Sequence, residues 1–138
     1  MGTADRGGGG IDADAGSSVQ RQLEACNARD IDALIAIYAA DAQMFEHPAK
    51  LIASGSSALR ERFLTRFKEP NLYAQLLKRV VMENRVIDHE RVTRTFPDGP
   101  GSVELVMIYE VQNEKIARAW VIAGAAKLDG GEDRVTGS

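Results

Sequence analysis

The sequence predicts an α+β domain with three N-terminal helices packed on a curved, mainly antiparallel sheet. Three observations predict it. Apolar residues recur at helical spacing only before Pro70. After Pro70 come long segments rich in Val, Ile and Tyr, in which apolar and polar residues alternate. The connectors between those segments are short, as successive antiparallel strands require.

The first helix is expected around Val19, Leu23 and Cys26, and the second around Ile31, Leu34, Ile35 and Tyr38, with Asp30 as its N-cap. Ala42–His47 and Leu51–Ser54 read as short extended segments parted by Pro48, which lacks a donor NH. Gly55-Ser56-Ser57 opens a third helix anchored by Leu59, Phe63 and Phe67, and Pro70 ends it. Arg60, Arg62, Arg66 and Lys68 then form its solvated basic side, with an anionic ligand as the minor alternative. Tyr73–Met82, Val86–Thr95, Ser102–Gln112 and Lys115–Ala123 form a four-stranded meander.

Glycine and acidic residues dominate 1–16, which reads as a disordered tail. The single domain is expected over 17–126, followed by a flexible tail at 127–138. Lys and Arg number 17 against 20 Asp and Glu, a balance that disfavours nonspecific nucleic-acid binding. No apolar run is long enough to span a membrane, so no membrane partner is expected. The N-terminus lacks the apolar core of a signal peptide, and Arg6 occupies the position where myristoylation favours Ser or Thr. A lone Cys26 excludes an intrachain disulfide and a cysteine-rich zinc site; a cytoplasmic location is the default expectation.

The third meander strand puts Val103, Leu105, Met107, Tyr109 and Val111 on one face, which the helices must cover. Its other face carries Val106 and Ile108 at the centre. With Trp120 and Ile122 they make an apolar patch suited to homodimerisation through the outer sheet face.

The order of elements, the segment Asn27-Ala28-Arg29-Asp30-Ile31-Asp32-Ala33-Leu34 followed by Tyr38-Ala39-Ala40-Asp41-Ala42, and Ile108-Tyr109-Glu110-Val111 before Lys115-Ile116 resemble the nuclear transport factor 2-like superfamily, in its SnoaL-like and steroid delta-isomerase-like group. The resemblance covers about residues 17–125. It implies a cystatin-like cone whose sheet and helices enclose a cavity. Steroid isomerases of that group place a proton-transferring aspartate just before a proline; here His47 precedes Pro48, with Glu46 beside it. The group's tyrosine donor on the first helix falls near Gln22, and its acidic donor in the third meander strand near Met107. With both donors replaced, true steroid isomerase activity is not expected.

His47 is therefore the expected catalytic residue, since a histidine of reference pKa about 6.5 exchanges protons near neutrality. Tyr38, Phe45, Phe63, Met107 and Tyr109 are the expected ligand-binding residues, Trp120 offers a polar edge, and Met44 and Met82 suit an adaptable lining. Along Asp88-His89-Glu90, alternation sends His89 to one face and the two acids to the other. A metal site there is not expected; the set reads as solvated or paired across strands with Arg91 or Arg118. No nucleotide motif or nucleophile elbow occurs, so no cofactor is expected. Two functions remain open: cofactor-independent acid/base chemistry on a neutral apolar metabolite, and noncatalytic binding or a dimeric accessory role.

Overall fold

The computed structural model describes residues 6–130, with side chains from Ala15 onward. Three helices, α1 (Arg6–Asn27), α2 (Ile31–Ile37) and α3 (Ser56–Phe67), pack on six strands: β1 (Tyr38–Glu46), β2 (Lys50–Ser54), β3 (Tyr73–Met82), β4 (Arg85–Phe96), β5 (Gly99–Gln112) and β6 (Lys115–Leu128). The strands form one sheet in the order β2-β1-β6-β5-β4-β3. Every neighbouring pair is antiparallel except β1 with β6, which is parallel. Register shifts at Met44/Phe45, Leu76/Lys78, Val103/Leu105 and Glu110/Val111 bend the strands, as an extra residue on one side of a ladder does. The result is the expected α+β arrangement on a curved sheet.

Local chemistry explains the joints. Asp30 caps α2 by accepting a hydrogen bond from the Ala33 amide at 3.1 Å. Gly55, at φ 88°, turns the chain into α3 from a conformation that a side chain resists. Asn113 and Glu114 both adopt positive φ between the paired residues Gln112 and Lys115, which gives a two-residue hairpin. Asn27, the last residue of α1, ties that helix to β3: its side chain donates to the Ala74 carbonyl at 2.9 Å and accepts from the Ala74 amide at 2.8 Å.

Three element boundaries differ from the expected segments. Helix α1 runs from Arg6 to Asn27 and so reaches into the segment expected as a tail; residues 1–5 lie outside the described ones. Ala15 and Ser18 are buried, and the Ser18 hydroxyl donates to the Glu114 carbonyl, which ties that part of α1 to the turn between β5 and β6. Strand β6 extends to Leu128, two residues into the expected C-terminal tail, and 131–138 lie outside the described residues. Tyr38 does not continue α2; it caps the helix in extended geometry and begins β1. No helix among the described residues is long and apolar enough to cross a membrane.

The helices cover the face carrying Val103, Tyr109 and Val111, as alternation along β5 requires. Two apolar clusters fill the space. The larger joins Val19, Leu34, Tyr38, Leu59 and Ile116; the smaller joins Leu23, Leu72, Ala74, Val92 and Val103.

Candidate functional site

Between the helices and the inner sheet face lies a cavity of about 440 Å³, lined from both apolar clusters. That volume is within the range of small-molecule sites. Tyr38, Met44, Phe63, Met107 and Tyr109 line it. The Tyr38 and Phe63 rings pack at 5.8 Å between centroids, and Phe63 continues to Phe67 at 6.4 Å. Gln22 and Met107, standing at the two donor positions of the steroid isomerase comparison, both reach the cavity.

Other expected residues do not. His47 is exposed and does not line this cavity. Its neighbour Glu46 lines the cavity instead. Alternation is the reason: Tyr38, Ala42 and Met44 are buried inward along β1, which turns Phe45 and His47 outward. Phe45 is not a lining residue; it stacks on Trp120 at 5.6 Å on the outer face, and Trp120 offers no edge to the cavity. Met82 is 67 % exposed at the end of β3.

The most buried charged side chain of the lining is Glu90 on β4, 5 % exposed. Burial, reinforced by the Asp88 charge, raises its carboxyl to about 7, with Arg79 opposing the shift. The pair Asp88 and Glu90 does share a face, with His89 on the other, where His89 and Arg91 both meet Glu104. That face is the buried one, however, so the solvated reading of Glu90 is corrected. Val86 and Val92, in the same alternation, already marked it as inward.

Around Glu90 stand donors. The Tyr109 hydroxyl donates to Gln22 Oε1 at 3.3 Å, which leaves the Gln22 amide nitrogen free of that bond. The Tyr38 hydroxyl, in a residue 4 % exposed, makes no hydrogen bond of regular geometry with a described residue. Both tyrosines are pushed well above their ordinary pKa by burial, and the charge of Glu90 contributes to each. They therefore donate protons in hydrogen bonds and stay neutral. Burial and the Glu90 charge push the Cys26 thiol up to about 11, so it is not a thiolate nucleophile at neutral pH.

The rim has a different character. Arg62 and Arg66 from α3 and Arg94 from β4 line the cavity, which corrects the reading of Arg62 and Arg66 as solvated surface. Only Arg60, paired with Asp32 at 2.6 Å, and exposed Lys68 behave as a surface helix face would. Among the described residues, no group of three or more His, Cys, Asp or Glu side chains is placed to hold a metal ion.

Residues 19–119 match the family model of the SnoaL-like domain. No curated protein matches the chain. Among solved structures, a cystatin-fold protein from Novosphingobium aromaticivorans is 23% identical, with 77% of this chain and 95% of that one covered at a TM-score of 0.68. A protein with a ketosteroid isomerase-like fold from Catenulispora acidiphila, solved in complex with trimethylamine, is 15% identical, with 76% and 83% covered at 0.67. A protein from a soil-derived mobile gene cassette is 19% identical, with 82% and 91% covered at 0.73. At these identities the likeness is one of fold.

Proposed function

The chain belongs to the SnoaL-like domain family, and from that premise we propose that it is a small-molecule enzyme using cofactor-independent general acid/base chemistry, with Glu90 exchanging the proton. One observation carries this reading. A carboxyl raised to about 7 and the buried hydroxyls of Tyr38 and Tyr109 line the same mostly apolar cavity. A base poised near neutrality balances its ionised fraction against its strength, the condition under which proton transfer is fastest. Removal of a proton next to a substrate carbonyl leaves charge on the carbonyl oxygen. The Tyr38 hydroxyl and the Gln22 amide are donors on the same lining that can meet it. Glu90 then returns the proton at another atom, so the substrate is rearranged without an added cofactor.

The test is proton exchange. The protein is incubated in D2O with a panel of apolar ketones and 1,3-diketones, and loss of the signal from protons next to the carbonyl is followed by NMR. Exchange is expected to rise with pH through about 7. Glu90→Gln is expected to lose roughly two to four orders of magnitude. Equal exchange by Glu90→Gln and the unaltered chain ends the proposal.

The outer face favours one addition, a homodimer. Ile108 pairs across strands with Trp120 and with Ile87, and Val106 pairs with Ile122. Phe45 extends this patch through its stack on Trp120. Charged residues flank it, Glu104 with His89 and Arg91 toward one end and Glu110 with Arg118 toward the other. An apolar centre with a polar rim is the usual anatomy of an interface. A second copy of the chain, presenting the same face, meets apolar with apolar. If the protein instead serves as a noncatalytic carrier, a ligand bound in the same cavity is recovered intact after long incubation.

A further inference from the structure

The rim of the cavity holds more positive charge than its acids neutralise. Glu69 serves two of the three arginines. It accepts from Arg94 Nε at 3.1 Å and Nη2 at 2.9 Å, lies 3.6 Å from Arg66 Nη1, and also accepts from the Thr95 amide at 3.1 Å. Arg94 is further fixed by lying 5.0 Å over the Phe96 ring. Arg62 forms no ion pair with a described residue. Glu46 shares the lining and its charge favours the Arg62 cation, but its own ion pair is with Lys50 at 3.8 Å. Burial and the Arg94 charge together weaken the hold of Arg62 on its proton, against an opposing contribution from the Glu46 charge.

Position along β4 supplies a ruler. Glu90 and Arg94 project to the same face four residues apart, a separation of roughly 13 Å along a strand. Val92 stands between them, and Val103 and Leu105 face Val92 and Glu90 across the ladder. The floor joining the rim to Glu90 is therefore apolar.

We propose that the ligand is an elongated apolar monoanion whose carboxylate docks on Arg62 at the rim while its other end lies against Glu90. This rests on the reading of the cavity as the ligand site and names the substrate class it takes. Arg66 and Arg94 are already committed to Glu69, so a single guanidinium remains for the ligand. A guanidinium matches a carboxylate through two parallel hydrogen bonds. A dianionic phosphate needs a second free cation, which the rim lacks. The anion sets direction: a chain entering carboxylate-last keeps the charge away from Glu90, whose ionised form repels it.

Calorimetric titration with decanoate, 1-decanol and decyl phosphate at neutral pH and low salt tests the assignment. Each probe carries the same ten-carbon chain, comparable in length with the Glu90 to Arg94 spacing along β4. Decanoate is expected to bind at least about tenfold more tightly than 1-decanol, the order of one charge-assisted contact. Arg62→Gln is expected to erase that preference by weakening decanoate alone, and Arg62→Lys to keep part of it. Thermal melts of both variants check that they fold. Equal affinity for decanoate and 1-decanol, no binding of either, or an equal loss of both in Arg62→Gln overturns the dock. Tighter binding of decyl phosphate overturns the monoanion assignment. The two readings fail separately: proton exchange unaffected in Glu90→Gln removes the role of Glu90, whereas equal affinity of the unaltered chain for decanoate and 1-decanol removes the role of Arg62 alone.

Discussion

The Arg79 guanidinium holds the fully buried Asp88 by two hydrogen bonds, Nε to Oδ1 at 2.7 Å and Nη2 to Oδ2 at 2.9 Å. Its remaining nitrogen donates to Gln20 Oε1 at 2.8 Å, which links β3 to α1. Asp88 lies two residues from Glu90 on the same face, and its charge is the second cause of the raised Glu90 carboxyl. The pair thus does two jobs: it closes a charge inside the fold and tunes the cavity acid.

Arg79→Met should reveal the first job. It leaves Asp88 buried without a counterion, a change that costs about 3–5 kcal/mol. Urea unfolding measures it as a lower midpoint. Asp88→Asn should reveal the second. With the like charge removed and Arg79 retained, the Glu90 midpoint should fall below about 7, read from its carboxyl carbon by NMR. A midpoint that stays put assigns the whole shift to burial.

Glu90 also makes stability depend on pH, and the sign follows from its raised pKa. The folded chain holds the proton up to about 7, the unfolded chain only to its ordinary value of 4.5. The stabilisation is therefore complete below 4.5 and is lost as pH rises through 7. The full loss is on the order of 3 kcal/mol. Glu90→Gln has no proton to lose. It should match the unaltered chain near pH 4 and exceed it by that amount near pH 8.5 in urea unfolding. Parallel pH profiles for the two chains would contradict the buried position of this carboxyl.

Tyr38→Phe separates stability from function. Its hydroxyl is buried and its one polar neighbour, Gln22, makes no hydrogen bond of regular geometry with it, so removing it breaks no regular bond and relieves a desolvated group. The variant should be unchanged or more stable by about 1 kcal/mol in thermal unfolding. Proton exchange should nevertheless drop by roughly a hundredfold or more, because the donor for the developing oxyanion is gone. A variant that is destabilised and fully active has the opposite pattern and removes Tyr38 from the chemistry.

Much of this fold is legible in the residues. Asp30 before an apolar stripe marked the cap of α2, and Asn113-Glu114 between alternating segments marked a hairpin. The inward face of β5 followed from parity alone. The site was less legible for a physical reason at each point. Along β1 the same parity that buries Met44 sends His47 out and Glu46 in, whereas the proline beside His47 had drawn attention to the histidine. Along β4, Asp88 and Glu90 look solvated until Val86 and Val92 are counted with them; only then does Arg79, from the adjacent strand, emerge as the needed counterion. On α3, arginine stems long enough to reach past an apolar stripe hid the heads of Arg62 and Arg66 among surface charges. The helical start at Arg6 opposes local propensity, since glycine is a poor helix former, and the packing of Ala15 and Val19 lies beyond what that stretch itself encodes.

The outer face supplies the last prediction. Ile122 is 39 % exposed and pairs with Val106 in the middle of the patch, pointing away from the cavity. Ile122→Glu should therefore leave the isolated domain within about 0.5 kcal/mol of its stability, as surface substitutions do. In a dimer the same change buries a carboxylate in each half of an apolar contact, with a like charge facing it. Sedimentation of the unaltered chain should give twice the chain mass at micromolar concentration, and of the variant a single chain mass. Decanoate affinity should be the same for both, because the cavity opens on the other side of the sheet. An unaltered chain that sediments as a monomer at high concentration leaves the Phe45–Trp120 patch without its proposed partner.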